Sequence, residues 1–177
     1  LNIGYIILQK IYHDLAIGDF FKTVQTKHKA TFSCNDINRF LTYARILEPE
    51  SKLGTFDKLD TYYEQPSFQY QHILRFMDIL EKNYDGYIEH LFKNSENIVP
   101  RDTSVCYFDC TNYYFEIESE DPDYIDEVTG EILKGFRKYG PSKQHQPLPL
   151  VQMGLFMDGN GIPISMCINS GSDNEQK

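Results

Sequence analysis

Asp109 is the side chain in this sequence best placed to do chemistry. It stands in SVCYFDCTNYYFEI, residues 104–117, a run rich in aromatic and β-branched residues that reads as a strand. Alternation puts Cys106, Phe108 and Cys110 on one face and Tyr107, Asp109 and Thr111 on the other. Both faces are largely apolar, so the strand is expected in the interior, covered on both sides. An unpaired carboxylate there costs free energy unless a hydrogen bond, an arginine or a metal ion offsets it. A bond to backbone or to Thr111 would make Asp109 structural. Ligation of a hard divalent ion such as Mg²⁺, from a rigid strand, would make it functional.

The other candidates carry weaker signals. Cys34, Cys106, Cys110 and Cys167 form no C-x-x-C pair, and Cys106-x-x-x-Cys110 is a poor zinc spacing. Buried free thiols in a reducing cytosol are the expectation. His13, His28, His72 and His90 sit singly on helical segments and are expected to face solvent. Asp158 lies in Asp158-Gly159-Asn160-Gly161, a strong hairpin signal, where its expected role is to set turn geometry. Glu175 falls in a polar stretch where solvation is expected.

Helices should precede that strand. Residues 4–17 are apolar on one face and read as a helix. In FSCNDINRFLTYARILEPESK, Ile37, Phe40, Leu41 and Ala44 fall at i, i+3, i+4 and i+7. Ser33 or Asn35 can cap this helix and Pro49 marks its end. A turn-rich stretch around Gly54 follows. Ile73, Phe76, Met77 and Leu80 then repeat the helical spacing. Asp85-Gly86 breaks the pattern before a last short helix in YIEHLFKN. These stripes are expected to be helix-packing surfaces. Pro100-Arg101-Asp102 is a boundary signal. Beyond it, LVQMGLFMD (150–158) and IPISMCIN make a second and third strand. The expected domains are 1–100, helical, and 101–177, β-rich.

The chain has 177 residues, 41% hydrophobic and 24% charged, enough to bury a core without disulfides or a structural metal. Its 12 Phe and 13 Tyr argue against long disorder. No apolar run reaches the ~18–20 residues of a membrane span. The apolar opening LNIGYIIL has no basic stretch before it, which argues against a signal peptide. An opening Leu rather than Met is expected of a piece of a longer chain. The net charge of −9 divides unevenly: 11 Lys/Arg against 13 Asp/Glu in residues 1–100, and 6 against 13 in 101–177. That balance excludes a general nucleic-acid coat, though not a local basic patch. Residues 116–131 hold eight Asp/Glu and no Lys/Arg, which reads as a solvated, mobile loop. Residues 134–149 reverse the sign with Lys134, Arg137, Lys138, Lys143 and His145. An ordinary exposed loop balancing the acidic run is one reading of them.

Several blocks, taken in order, resemble a known family. YFDCTNYYFE, GPSKQHQPLPLVQMGLFMDGNGIPISMCI, GSDNEQ and the earlier LTYARILEPESKLGT look like segments of insertion-sequence DDE transposases. The resemblance implies an α+β chain: an amino-terminal helical region for DNA binding or multimerisation, then the first three antiparallel strands of a ribonuclease H-like core. It implies three catalytic carboxylates binding two Mg²⁺ or Mn²⁺ ions, with Asp109 matching the first as catalytic residue and metal ligand. Such a site cleaves DNA with water and joins the freed 3′-hydroxyl to target DNA. The second Asp and the Glu lie downstream of GSDNEQ in the family, so these 177 residues alone are expected to be inactive. Arg137, Lys138, Lys143 and His145 are the implied contacts to transposon-end DNA. Gln146 and Ser172 depart from the family pattern, which commonly has Arg and Asn there. The implied location is cytoplasmic and nucleoid-associated, with no membrane partner. Strand faces that the complete core would cover lead to an expectation of self-association. Two alternatives stand beside this reading: a catalytically dead fragment that binds DNA or the transposase, and an interaction protein in which Asp109 is structural.

Overall fold

The computed structural model describes residues 3–64, 66–141 and 146–173. The chain is α+β and divides into two compact units, Leu1–Pro100 and Arg101–Lys177.

The first unit is helical among its described residues: α1 (Ile6–Asp14), α2 (Ile17–His28), α3 (Cys34–Leu47), α4 (Lys52–Asp57), a 3₁₀ turn at Leu59–Thr61, α5 (Tyr70–Lys82) and α6 (Tyr84–Ser95). Its core is aromatic. Phe21, Ile37, Ile73 and Phe76 are sealed from solvent, and the Phe21 ring packs on Phe76 and Tyr87 at 5.5 and 5.1 Å between centroids. The apolar stripes of α3 and α5 supply Ile37, Ile73 and Phe76 at the spacing read from the sequence, and α2 supplies Phe21. Ser33 caps α3, its Oγ accepting the N–H of Asp36 at 3.1 Å.

The single helix expected over 4–17 is instead two. Ala16 adopts a left-handed conformation, φ 50°, between α1 and α2. Tyr12 and Ile17 are both buried. On one continuous helix they would point about 140° apart, so the break lets both reach the core. The ring Nε2–H of His90 donates to the Leu15 carbonyl at the break, at 3.1 Å, and lies 3.0 Å from the Ala16 carbonyl, which also accepts the N–H groups of Asp19 and Phe20. Two further stretches read as turns are helical. Gly54 lies inside α4, where its N–H donates to the Ser51 cap at 3.0 Å. Asp85 and Gly86 form the first turn of α6, where an acidic residue favours the helix dipole.

The second unit is a three-stranded antiparallel sheet with a small ribbon. β1 (Cys106–Tyr114), β4 (Leu150–Asp158) and β5 (Pro163–Ser170) lie in the order β1-β4-β5; β2 (Tyr124–Ile125) and β3 (Ile132–Leu133) pair as the ribbon. The β4–β5 hairpin turns at Gly161, φ 75°, as the sequence signal predicts. Gly154 opposes Cys110 and leaves room for the Phe108 ring: a β-carbon there would stand 2.6 Å from Phe108 and 2.8 Å from the Cys167 sulfur. The interior position expected for β1 does not hold. Among the described residues β1 is an edge strand, and Tyr107, Phe108 and Tyr113 are exposed. The acidic run is more than a solvated loop, because it supplies β2, which pairs with β3 just beyond the run's end.

Candidate functional site

Asp109 lies at the middle of β1, paired with Leu155, which pairs in turn with Met166. Directly opposed residues of an antiparallel pair project to one side. Asp109 therefore shares a face with Tyr107, Thr111 and Tyr113 and with Met153, Leu155 and Met157 of β4. It is a lone carboxylate on an apolar face. The side chain is exposed, and its Oδ1 accepts the N–H of Cys110 at 3.0 Å. Exposure keeps the carboxylate hydrated, so the desolvation cost expected for an interior strand does not arise. Among the described residues, no three His, Cys, Asp or Glu side chains gather as a metal-holding group. One carboxylate does not fit two Mg²⁺ ions, each of which takes a near-octahedral oxygen shell.

Arg137 and Lys138 are turned towards the acidic segment that precedes them. Arg137 Nε donates to Asp121 Oδ1 at 2.7 Å, and a second guanidinium nitrogen pairs with the same oxygen. Backbone bonds between the two residues reinforce this: Asp121 N–H to Arg137 O at 2.9 Å, and Arg137 N–H to Asp121 Oδ2 at 3.0 Å. The Arg137 guanidinium also lies 5.7 Å from the centre of the Phe115 ring. Lys138 Nζ sits 2.7 Å from Asp123 Oδ1 and 3.9 Å from Glu120. Hydrogen bonds from Arg137 hold the Asp121 carboxyl below its ordinary value, and Lys138 does the same to Asp123. Both cations thus have intramolecular partners. Lys143 and His145 lie outside the described residues.

The sequence reading missed an ion pair at the base of the hairpin. Asp158 and Arg101 have side chains 0% and 3% exposed, with Arg101 Nε 2.6 Å from Asp158 Oδ2. Asp158 Oδ1 accepts the N–H groups of Asn160 and Ile162 at 3.0 and 2.9 Å. Arg101 Nη2 donates to the carbonyls of Ile162 and Pro163. Burial works against ionisation of Asp158. The Ile162 N–H, the Arg101 guanidinium and the Asn160 N–H outweigh it and hold the carboxyl below its ordinary value. Asp158 does set the turn, but from a buried position with a charged partner. The Pro-Arg-Asp boundary held the only sequence signal for that partner.

The histidines and cysteines also differ in part from expectation. His28, His72 and His90 are half-buried. His28 Nε2 meets Asn83 Nδ2 at 2.8 Å, and His72 Nδ1 accepts the N–H of Gln69 while its ring stacks on Phe32. His13 is exposed. None of the four cysteines is in a disulfide, but Cys106 is exposed and Cys167 half-buried; Cys34 and Cys110 are buried. No helix among the described residues is long and apolar enough to cross a membrane. Compared with known proteins, the chain matches no family model, no curated protein and no solved structure.

Proposed function

We propose that this chain carries the opening part of a DNA-transposing nuclease of the insertion-sequence DDE type, with Asp109 as its first metal-binding carboxylate. The observation that carries the reading is the setting of Asp109. It projects from mid-strand, hydrated and free of any Lys or Arg among the described residues, on a rigid antiparallel sheet. A carboxylate kept there contributes nothing to the apolar face around it, whereas a metal ligand requires such rigidity. The preceding helical unit is the candidate for DNA binding and multimerisation, and a nucleoid location goes with it. Asp109 would supply one carboxylate ligand to Mg²⁺ or Mn²⁺. The described residues supply no others beside it, so these 177 residues alone are inactive in this reading.

The coding sequence after Lys177 tests the proposal. The reading requires in frame a further Asp on a strand and a Glu on a helix, and a longer protein whose Mn²⁺-dependent DNA cleavage is lost in Asp109→Asn. A longer protein that lacks these carboxylates, or cuts equally well as Asp109→Asn, overturns it. Robust cleavage by the 177-residue chain, abolished in Asp109→Ala, overturns the inactivity of the chain alone.

A second reading is a catalytically dead fragment that binds DNA or the transposase. The absence of a metal-holding group among the described residues favours it. Because Arg137 and Lys138 are engaged by carboxylates, DNA contact by the basic loop would fall mainly to Lys143 and His145. Binding should then weaken steeply with salt, and Lys143→Glu should weaken it for all sequences. No binding at low salt removes that role.

A further inference from the structure

Beside its core stripe, α3 carries a second line of residues that faces a cleft in the helical unit. Asn38, Leu41, Thr42 and Arg45 fall at i, i+3, i+4 and i+7 and line it together, and Thr55 of α4 with Met77 and Leu80 of α5 supplies the other walls. The cleft holds about 340 Å³, at the small end for clefts that take a small molecule. Two polar side chains in its walls are buried, Asn38 at 5% and Thr55 at 8% exposed. The Asn38 Nδ2 is engaged by the Tyr12 and Tyr87 hydroxyls, but its Oδ1 accepts no hydrogen bond among the described residues. The Thr55 hydroxyl has no partner among them either. A polar atom held in an apolar wall without a partner costs free energy, which a hydrogen bond from a ligand offsets.

Charge lies towards the other end of the line. Arg45 and Lys52 are exposed, and neither has a carboxylate partner among the described residues. Glu50 also lines the cleft, but Lys58 pairs with that carboxylate and leaves the lining net positive. Seven residues of helix set Asn38 and Arg45 ~10.5 Å apart along the axis of α3. Along that line the cleft offers a hydrogen-bond acceptor, a largely apolar middle and a cationic end.

We propose that this cleft binds a small organic acid with an apolar body, a carboxylate at one end and a hydroxyl at the other. An extended chain of roughly eight carbons spans the distance between the two ends of the cleft. The carboxylate meets Arg45 and Lys52, where charge-assisted hydrogen bonds hold it. The hydroxyl donates to Asn38 Oδ1, and Thr55 offers the ligand a further polar contact. The chain lies against Leu41, Leu80 and Met77, whose unbranched thioether adapts to its shape. The site is contained within the helical unit and does not rest on the transposase reading.

Titration of the 177-residue chain with 8-hydroxyoctanoate, followed by NMR at the methyl groups of Met77 and Leu80, tests it. Saturable one-to-one shifts are expected, with a dissociation constant below about 5 mM. Octanoate, which lacks the hydroxyl, and octane-1,8-diol, which lacks the charge, should each bind at least about fivefold more weakly. Arg45→Gln and Lys52→Gln should each weaken the hydroxy acid at least about threefold and leave the diol unchanged. Both positions are exposed, and circular dichroism checks that the fold is kept. No saturable shift up to about 20 mM overturns the proposal. So does octanoate or the diol binding as tightly as the hydroxy acid, or hydroxy-acid binding that either substitution leaves unchanged.

Discussion

The Arg101 guanidinium and the Asp158 carboxylate lie 2.6 Å apart, both closed off from water, and fasten the chain entering β1 to the turn that joins β4 and β5. Removing one member strands the other. Arg101→Leu is expected to destabilise the sheet unit by about 3 kcal/mol or more, because Asp158 stays buried without its cation. The pH dependence follows from the depressed Asp158 carboxyl. A carboxylate whose folded value is below its unfolded value stabilises above the unfolded value, and loses that stabilisation as pH falls through the folded one. Urea melts between pH 7 and pH 2 should therefore show a decline beginning below about pH 4. In Asp158→Asn that decline should be shallower and the neutral-pH stability lower. An unchanged profile in Asp158→Asn would show that the pair is not coupled to folding.

Arg137 and Lys138 act as local fasteners of an acidic segment. Asp121 and Asp123 are both held below their ordinary carboxyl values by these partners. Arg137→Ala should release the segment without disturbing the β4–β5 ladder. Amide hydrogen exchange should speed severalfold at Asp121 and at Tyr139, whose N–H groups bond to Arg137 O and Glu120 Oε1. The amides of β5 should keep their protection. High salt should partly mimic the substitution in the wild-type chain, since these pairs are solvent-accessible.

The helical stripes of α3 and α5 and the extent of β4 were legible in the sequence, because each element buries one face at a regular period. Three features were not. Ala16 breaks a stripe that local propensity would continue, and the reason lies in Tyr12, Ile17 and His90, which meet only after the helices pack. The Arg101–Asp158 pair joins residues 57 positions apart, and no local pattern announces it. The exposure of β1 ran against a composition that suggested an interior strand. Aromatic content reports a preference for burial, not which neighbours are there to provide it. For Asp109, strand alternation alone places a carboxylate on an apolar face. Its hydration, and its bond to the Cys110 N–H, needed coordinates.

Asn38 ties the helical unit together through polar contacts. Its Nδ2 donates to the hydroxyls of Tyr12 and Tyr87 at 3.1 and 3.2 Å, and Tyr12 in turn donates to Asn35 Oδ1 at 2.9 Å. Burial raises the Tyr12 and Tyr87 hydroxyls above their ordinary values despite the opposing bond from Asn38. Asn38→Ala should cost about 1–3 kcal/mol, the penalty for buried hydroxyls left short of a partner. In a double-mutant cycle, Tyr87→Phe should cost less in the Asn38→Ala background than in the wild type. Additive costs would mean that the two residues do not share an interaction.

Asp109 offers the sharpest separation of structural from functional roles. If its carboxylate holds the strand, Asp109→Asn and Asp109→Leu should both destabilise the sheet unit. The geometry argues otherwise: the side chain is exposed, bonded only locally, and surrounded on its face by Tyr107, Thr111 and Leu155. Asp109→Asn should change stability by no more than about 0.5 kcal/mol. Asp109→Leu should be neutral or stabilising, because it completes an apolar face at the cost of greater self-association. Thermal melts and sedimentation velocity measure the two effects. A loss above about 2 kcal/mol in Asp109→Asn would place the residue among the fold's supports, and the case for it as a metal ligand would go with that result.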